Sequence, residues 1–386
     1  MQFLFLLGVL LSQVVADSRD VVKKVVHTPW WPAGSEKTAE SVGIISHGFV
    51  YMTAMMELNE TLQKTALQET WDVRDIAVAG GANLSDLVDC FVNAPEGKAD
   101  AVKSALMSAL PEEVQHSPPS LTVVEMPGEY QFVYNSIMCL ANIPDGPERR
   151  TWRKDDIYAV SARGLMFFEG SVAKSHVQGA YEETHDILDR MSRLVGPEGA
   201  AALVDCSAFV TKISDAPRVR QALKEVVNKK GGVMPALTIV QASLPAKSVL
   251  LRCTASMESI PRSISTTDGS LVLTDTFAYV SAQLDRNSTG INALEALGKI
   301  LTSANLTLKE TVTCSFFVKD QQKMFDLFGG FFQIFNQENP PPPTRGEYEA
   351  VNECAECQVA AKCIAAVAAG GCKGPRGLSQ LFHRAS

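Results

Sequence analysis

Six of the nine cysteines recur at near-constant intervals. Cys90, Cys206 and Cys314 sit in the β-rich runs LVDCFV, LVDCSAFV and TVTCSFFV, and Cys139, Cys253 and Cys363 follow them by 49, 47 and 49 residues. Thiols can cross-link, ligate a metal or attack as thiolates, and compartment and surroundings decide which. Cys354, Cys357 and Cys372 remain. Cys354 and Cys357 form a C-x-x-C, but no helix start or second such pair accompanies it, so a local or tail disulfide is preferred to a redox or zinc role. An odd total leaves one cysteine free or paired between chains. His27, His47, His116, His176, His185 and His383 show no metal spacing, and no metal site is expected. HExxH, P-loop, G-x-S-x-G and GxGxxG are all absent from the sequence.

The elements around the cysteines recur too. A proline lies 29 residues after each first cysteine, at Pro119, Pro235 and Pro343. Upstream, FVYMTAM begins at Phe49, LMFFEGS at Leu165 and FAYVSAQ at Phe277. These landmarks define three tandem repeats, 38–143, 155–257 and 266–367, with a mobile tail over 368–386. Each reads as ββαβαββ, an α+β module with a mixed sheet. Ile187, Leu188, Met191, Leu194 and Val195 mark a first helix in the second copy, as Ile291, Leu294, Leu297, Ile300 and Leu301 do in the third. Val219, Leu223, Val226 and Val227 mark a second helix, and Phe325, Phe328, Phe332 and Phe335 its counterpart. Helices cover one sheet face, while the other, partly apolar, needs a partner. Three copies in one chain can supply it by closing head to tail into a ring.

Residues 1–16 read as a signal peptide: an apolar run from Phe3 to Leu11, then Val14-Val15-Ala16 ahead of the cut, although no Lys or Arg precedes the run. A buried N-terminal strand is the alternative. The secretory pathway is therefore expected, with an extracellular or lumenal destination. Sequons at Asn59, Asn83, Asn287 and Asn305 are glycosylation candidates. The net charge of −8 argues against nucleic-acid binding and against a basic membrane-surface patch. No later stretch is apolar enough for a membrane helix.

The third copy carries YVSAQ at 279–283, NLTLKETVTCSFFVKD at 305–320 and PTRGEYE at 343–349. These resemble the hairpin Ser-Gly-Gln, the helix-to-strand segment and the Pro-Ala-Arg signature of the Rid (reactive intermediate deaminase, YjgF-like) family, diffusely echoed in the other copies. The resemblance implies a chorismate mutase-like/Rid fold, with one chain forming an intramolecular pseudo-trimer whose clefts lie between repeats. It also implies hydrolysis of enamines or imines to 2-keto acids and ammonia, with no metal or organic cofactor. Arg345 matches the arginine that grips the substrate carboxylate, a role suited to a bidentate, permanently charged guanidinium. Ser281 matches the hairpin serine, where Thr53 and Glu169 stand in the other copies. Counted from the proline, the positions corresponding to Arg345 are Leu121 and Leu237, which cannot hold a carboxylate. Where the family has a glutamate on its last strand, Met138, Arg252 and Lys362 stand instead.

Taken alone, Arg345 could pair with Glu347 or Glu349, and Ser281 is a strand hydroxyl satisfied by backbone. The resembled fold makes Cys90 and Cys139, Cys206 and Cys253, and Cys314 and Cys363 neighbours on antiparallel strands. Three disulfides and six buried thiols are both open readings. Two functions follow: an imine or enamine deaminase with one surviving site, using Arg345 and Ser281, or a non-catalytic secreted scaffold that binds a small acidic metabolite or a protein.

Overall fold

The computed structural model describes residues 23–29, 41–57, 61–125, 134–244, 247–258, 261–266, 269–284, 290–319, 321–335, 341–347, 351, 354 and 357–368. The expected leader, Asn59, Asn287, Cys372 and nearly all of the expected tail lie outside them. No helix among the described residues is long and apolar enough to cross a membrane.

The chain is a mixed α+β protein with three mixed sheets. The first contains β1 (Lys24–Val25), β2 (Gly43–Ser46), β3 (Phe49–Glu57), β4 (Leu87–Ala94), β5 (Ser120–Glu125) and β6 (Tyr134–Asn142) in the order β1-β2-β3-β6-β4-β5. The second contains β7 (Arg150–Lys154), β8 (Ile157–Ala162), β9 (Leu165–Phe168), β10 (Ser171–Val172), β11 (Leu203–Val210), β12 (Ala236–Gln241) and β13 (Val249–Ser256), ordered β12-β11-β13-β9-β8-β7 with β10 beside β13. The third contains β14 (Arg262–Ser265), β15 (Gly269–Leu273), β16 (Phe277–Leu284), β17 (Thr311–Val318), β18 (Thr344–Glu347) and β19 (Val359–Ala366), ordered β14-β15-β16-β19-β17-β18. In every sheet the strand after the first helix pairs in parallel with the one after the second and antiparallel with the last strand.

Local chemistry explains the elements. His47-Gly48 and Arg163-Gly164 have positive φ at both positions, 48° and 77°, and 48° and 73°, as tight hairpin turns require. Helix α1 (Leu62–Ala79) is capped by Thr61, whose hydroxyl accepts the Lys64 amide. Helix α2 (Ala99–Ala109) follows β4, and a single further helical turn, Glu112–Gln115, leads on to β5. Helices α3 (Ala180–Val195) and α4 (Ala216–Lys229) bury the expected Ile187, Leu188, Met191 and Val195, and Val219, Leu223, Val226 and Val227. In α5 (Gly290–Thr302) Leu294, Leu297, Ile300 and Leu301 are buried. Helix α6 (Gln321–Ile334) turns Leu327 and Phe331 inward, and Phe335 of the expected phenylalanine stripe is buried just beyond its end, while the side chains of Phe325, Phe328 and Phe332 lie outside those described. Phe331 and Phe335 stack at 5.1 Å.

The helices bury one face of each sheet. The opposite faces meet: Phe49, Tyr51 and Leu140 of the first sheet, Val160 and Phe167 of the second, and Phe277 and Tyr279 of the third form one buried cluster. A second shared cluster joins Phe91, Phe209 and Phe317. These faces stabilise each other by excluding water, so each sheet depends on its neighbours.

Candidate functional site

Register places the residues with chemical potential. Cys90 lies opposite Cys139, Cys206 opposite Cys253 and Cys314 opposite Cys363, and all three pairs are disulfide-bonded with Cα separations of 4.1–4.2 Å. Cys354 and Cys357 form a fourth bond. The first three bonds are therefore cross-links between neighbouring strands, the fourth closes a local turn ahead of β19, and none of the bonded cysteines is a free thiol.

One register step corrects the alignment drawn from prolines. Arg345 pairs with Ser315, the residue after Cys314. The residues after Cys90 and Cys206 pair with Thr122 and Thr238, so these threonines, and not Leu121 and Leu237, correspond to Arg345. Counting from Pro343 misaligned them because the third copy has a longer proline run.

Ser281 and Arg345 do not share a cleft within their own sheet: β19 and β17 stand between their strands. Ser281 instead faces the second sheet. Its Oγ is 2.9 Å from Thr238 Oγ1 and donates to the Leu237 carbonyl at 2.7 Å, and the residue is 4% exposed. At the boundary between first and second sheets, Thr122 Oγ1 accepts the Gly170 amide at 2.8 Å, and the neighbouring Glu169 is ion-paired with Lys103 of α2. Tyr158 donates its hydroxyl to the Pro118 carbonyl at 2.6 Å across the same boundary. Between third and first sheets, Lys23 donates to the Thr311 carbonyl at 3.2 Å and His47 meets the Phe277 ring edge-on. Thr53, the counterpart of Ser281 in the first sheet, is buried, and its hydroxyl has no hydrogen-bond partner among the described residues.

A polar cluster lies where the three sheets converge. In each sheet the ladder between the first-cysteine strand and the last strand slips just before that cysteine, at Leu87/Asp89, Leu203/Asp205 and Thr311/Thr313. Such a bulge re-aims a side chain. Asp89 forms an ion pair with Arg252 of the second sheet, whose guanidinium lies over the Phe91 ring at 5.3 Å. Asp205 pairs with Lys362 of the third sheet at 2.7 Å, and Lys362 also donates to Ser207 at 2.5 Å. At the third boundary Ser315 meets the Met138 sulfur at 3.6 Å. Burial, outweighing Arg252, pushes the Asp89 carboxyl above its ordinary value, and burial pulls the Lys362 ammonium below its own. In the sequence, Arg252 and Lys362 stand out only as departures from the glutamate that the family resemblance implies. Their shared position beside the second cysteine was the available signal, and their aspartate partners lie too far away in sequence to be read.

Asn83 and Asn305 are both exposed. Asn83 precedes a short 3-10 turn, and Asn305 has a positive φ of 59°. Among the described residues no group of three or more His, Cys, Asp or Glu side chains could hold a metal.

No protein-family model matches the chain, and no curated protein matches it. Solved structures do. A chorismatase aligns with 82% of this chain and 98% of its own at 8% identity, with a TM-score of 0.50. A YjgF-family protein from Neisseria meningitidis aligns over 29% of this chain and 97% of its own at 24% identity and a TM-score of 0.26. A member of the YjgF/YER057c/UK114 family from Mycobacterium tuberculosis covers 28% of this chain and 99% of its own, at 20% identity and a TM-score of 0.25. The chorismatase match is a likeness of fold alone, and it spans most of the chain.

Proposed function

We propose that the chain is a secreted tandem Rid-like protein whose units, 38–143, 155–257 and 266–367, close into an intramolecular pseudo-trimer and act as a binding scaffold for a small carboxylate at the boundary that includes Arg345. The common strand order and the core shared by all three sheets support the pseudo-trimer. The observation that carries the non-catalytic reading is the state of Ser281. Its hydroxyl is buried and fully engaged by the second sheet, against Thr238, where the family would present its arginine. Thr122 is likewise committed to packing. Neither boundary offers a guanidinium at the signature position to a substrate carboxylate, whereas Arg345 keeps that residue type at the third.

Calorimetric titration with pyruvate tests this. Saturable binding by the wild type and none by folded Arg345→Ala is the expected result. Equal heats from the two proteins would overturn it.

A second reading is hydrolysis of enamines or imines at that third boundary. It is favoured by Thr53, whose hydroxyl occupies the hairpin-serine position of the first sheet and has no partner among the described residues. Continued around the ring, the pattern that sets Gly170 on Thr122 and Ser281 on Thr238 brings strand position 345 to the first hairpin. Fold likeness by itself grants no activity.

A further inference from the structure

Helix α1 carries a line of exposed side chains on the face turned away from its sheet. Leu67, Trp71 and Val78 are 38%, 45% and 57% exposed, and Arg74, between them, is exposed as well. With 3.6 residues per turn, these four fall within about 60° of arc and extend over about 16 Å of helix. The opposite face, with Val73, Ile76 and Ala77, is buried in the core of the first sheet.

The fold does not require this line to be apolar. Helices α3 and α5 stand in the same place against the second and third sheets. Glu69 and Thr70 of α1 match Glu183 and Thr184 of α3: both glutamates are buried, and both threonines donate their hydroxyls to the carbonyl four residues back. That register sets Leu67, Trp71 and Val78 level with Tyr181, His185 and Ser192. In α5 the buried Leu297, Ile300 and Leu301 match Ile187, Arg190 and Met191, and the places of Trp71 and Val78 hold the exposed Glu295 and Thr302. Apolar side chains gathered on one surface strip mark contact with another molecule, and Trp and Arg anchor the centres of such contacts.

The order of the residues names the partner. Two such helices laid antiparallel, about a two-fold axis between residues 72 and 73, bring Leu67 to the partner's Val78 and Trp71 to the partner's Arg74, and by symmetry the reverse. A ring then meets a guanidinium, which its electrons attract. Arg74 already has Asp75 as counter-ion at 2.8 Å, so the contact gathers no net charge at the axis. Parallel pairing would instead set Arg74 against itself. We propose that this face of α1 joins two copies of the chain in an antiparallel, two-fold dimer. Four side chains per copy cover less than the roughly 800 Å² that each partner gives to a standard interface, so the association is weak and reversible.

Sedimentation equilibrium of the intact, disulfide-bonded chain, from about 1 μM to about 1 mM, tests the proposal. The wild type should pass from one chain to two across that range. Leu67→Glu and Val78→Lys, each at an exposed position where the fold tolerates change, should each weaken dimerisation at least about tenfold, because each sets a charge on an apolar side chain of the other copy. The two substitutions together should restore the dimer, since only the antiparallel register brings those two positions together. Trp71→Ala adds no charge and should also weaken dimerisation at least about tenfold, which keeps the test valid where a charged variant fails to fold. A wild type that remains a single chain at the upper end of the range would overturn the proposal, and so would a dimer unaffected by Leu67→Glu or by Trp71→Ala. A folded double variant as weak as its single parents would overturn the antiparallel pairing.

Discussion

Lys362 Nζ lies 2.7 Å from Asp205 Oδ2, bridging the third sheet to the second, and both side chains are nearly excluded from solvent. The counterpart contact between first and third sheets is Met138 against Ser315, with Thr313 in the place of the aspartate. One chain thus holds a charged and an uncharged solution to the same geometric problem. Removing one member of a buried pair strands the other, at a cost of about 3–5 kcal/mol, whereas replacing both is often neutral. Lys362→Met should therefore lower unfolding free energy by about that amount, and Lys362→Met with Asp205→Thr should recover most of it. Urea denaturation of both proteins checks this; a double variant as weak as the single one contradicts it.

The pH dependence of the Asp89 pair has a definite sign. Burial raises the Asp89 carboxyl above its ordinary value, so the folded chain takes up this proton at higher pH than the unfolded chain does. Between the ordinary and the raised value, the wild type's stability relative to Asp89→Asn should fall as pH rises. Unfolding of the two proteins across the acidic range measures it. A relative stability that rises with pH in that window would mean that Arg252 outweighs burial.

The Cys206–Cys253 bond closes a loop of 47 residues inside the second sheet. Loop-closure entropy for that length is worth about 4 kcal/mol in the unfolded state. Replacing both cysteines by alanine should cost about 2–5 kcal/mol. Thermal unfolding with and without reductant should show the variant insensitive at this bond and the wild type sensitive.

Ser281→Ala removes a buried hydroxyl bonded to Thr238 and Leu237. A loss of about 1–2 kcal/mol of stability is expected, with no change in pyruvate affinity. An affinity change without a stability change would instead make Ser281 part of the ligand site.

Much of this architecture is legible in the residues. The recurring cysteine intervals correspond to three mixed sheets of like strand order, and helical spacing in Val219, Leu223, Val226 and Val227 marks the buried face correctly, because period and burial are local properties. The candidate site is less legible. Its partners, Asp89 with Arg252 and Asp205 with Lys362, are each more than 150 residues apart and meet only through packing of sheets. Ser281 and Arg345 lie close to landmarks of one copy, yet their strands flank two others. Residues at opposite ends of one sheet need not share a cleft, however close their sequence landmarks lie. The shift from Leu237 to Thr238 arose because proline count, unlike hydrogen-bond register, does not fix which residues are opposite.

The measurement closest to the central claim is ammonia release from freshly generated 2-iminopropanoate, followed against the spontaneous rate with the wild-type protein and with Arg345→Ala. A scaffold that binds a carboxylate without processing it predicts that both proteins match the spontaneous rate. Acceleration by the wild type that disappears in Arg345→Ala would contradict that account and place a working hydrolase at the third boundary.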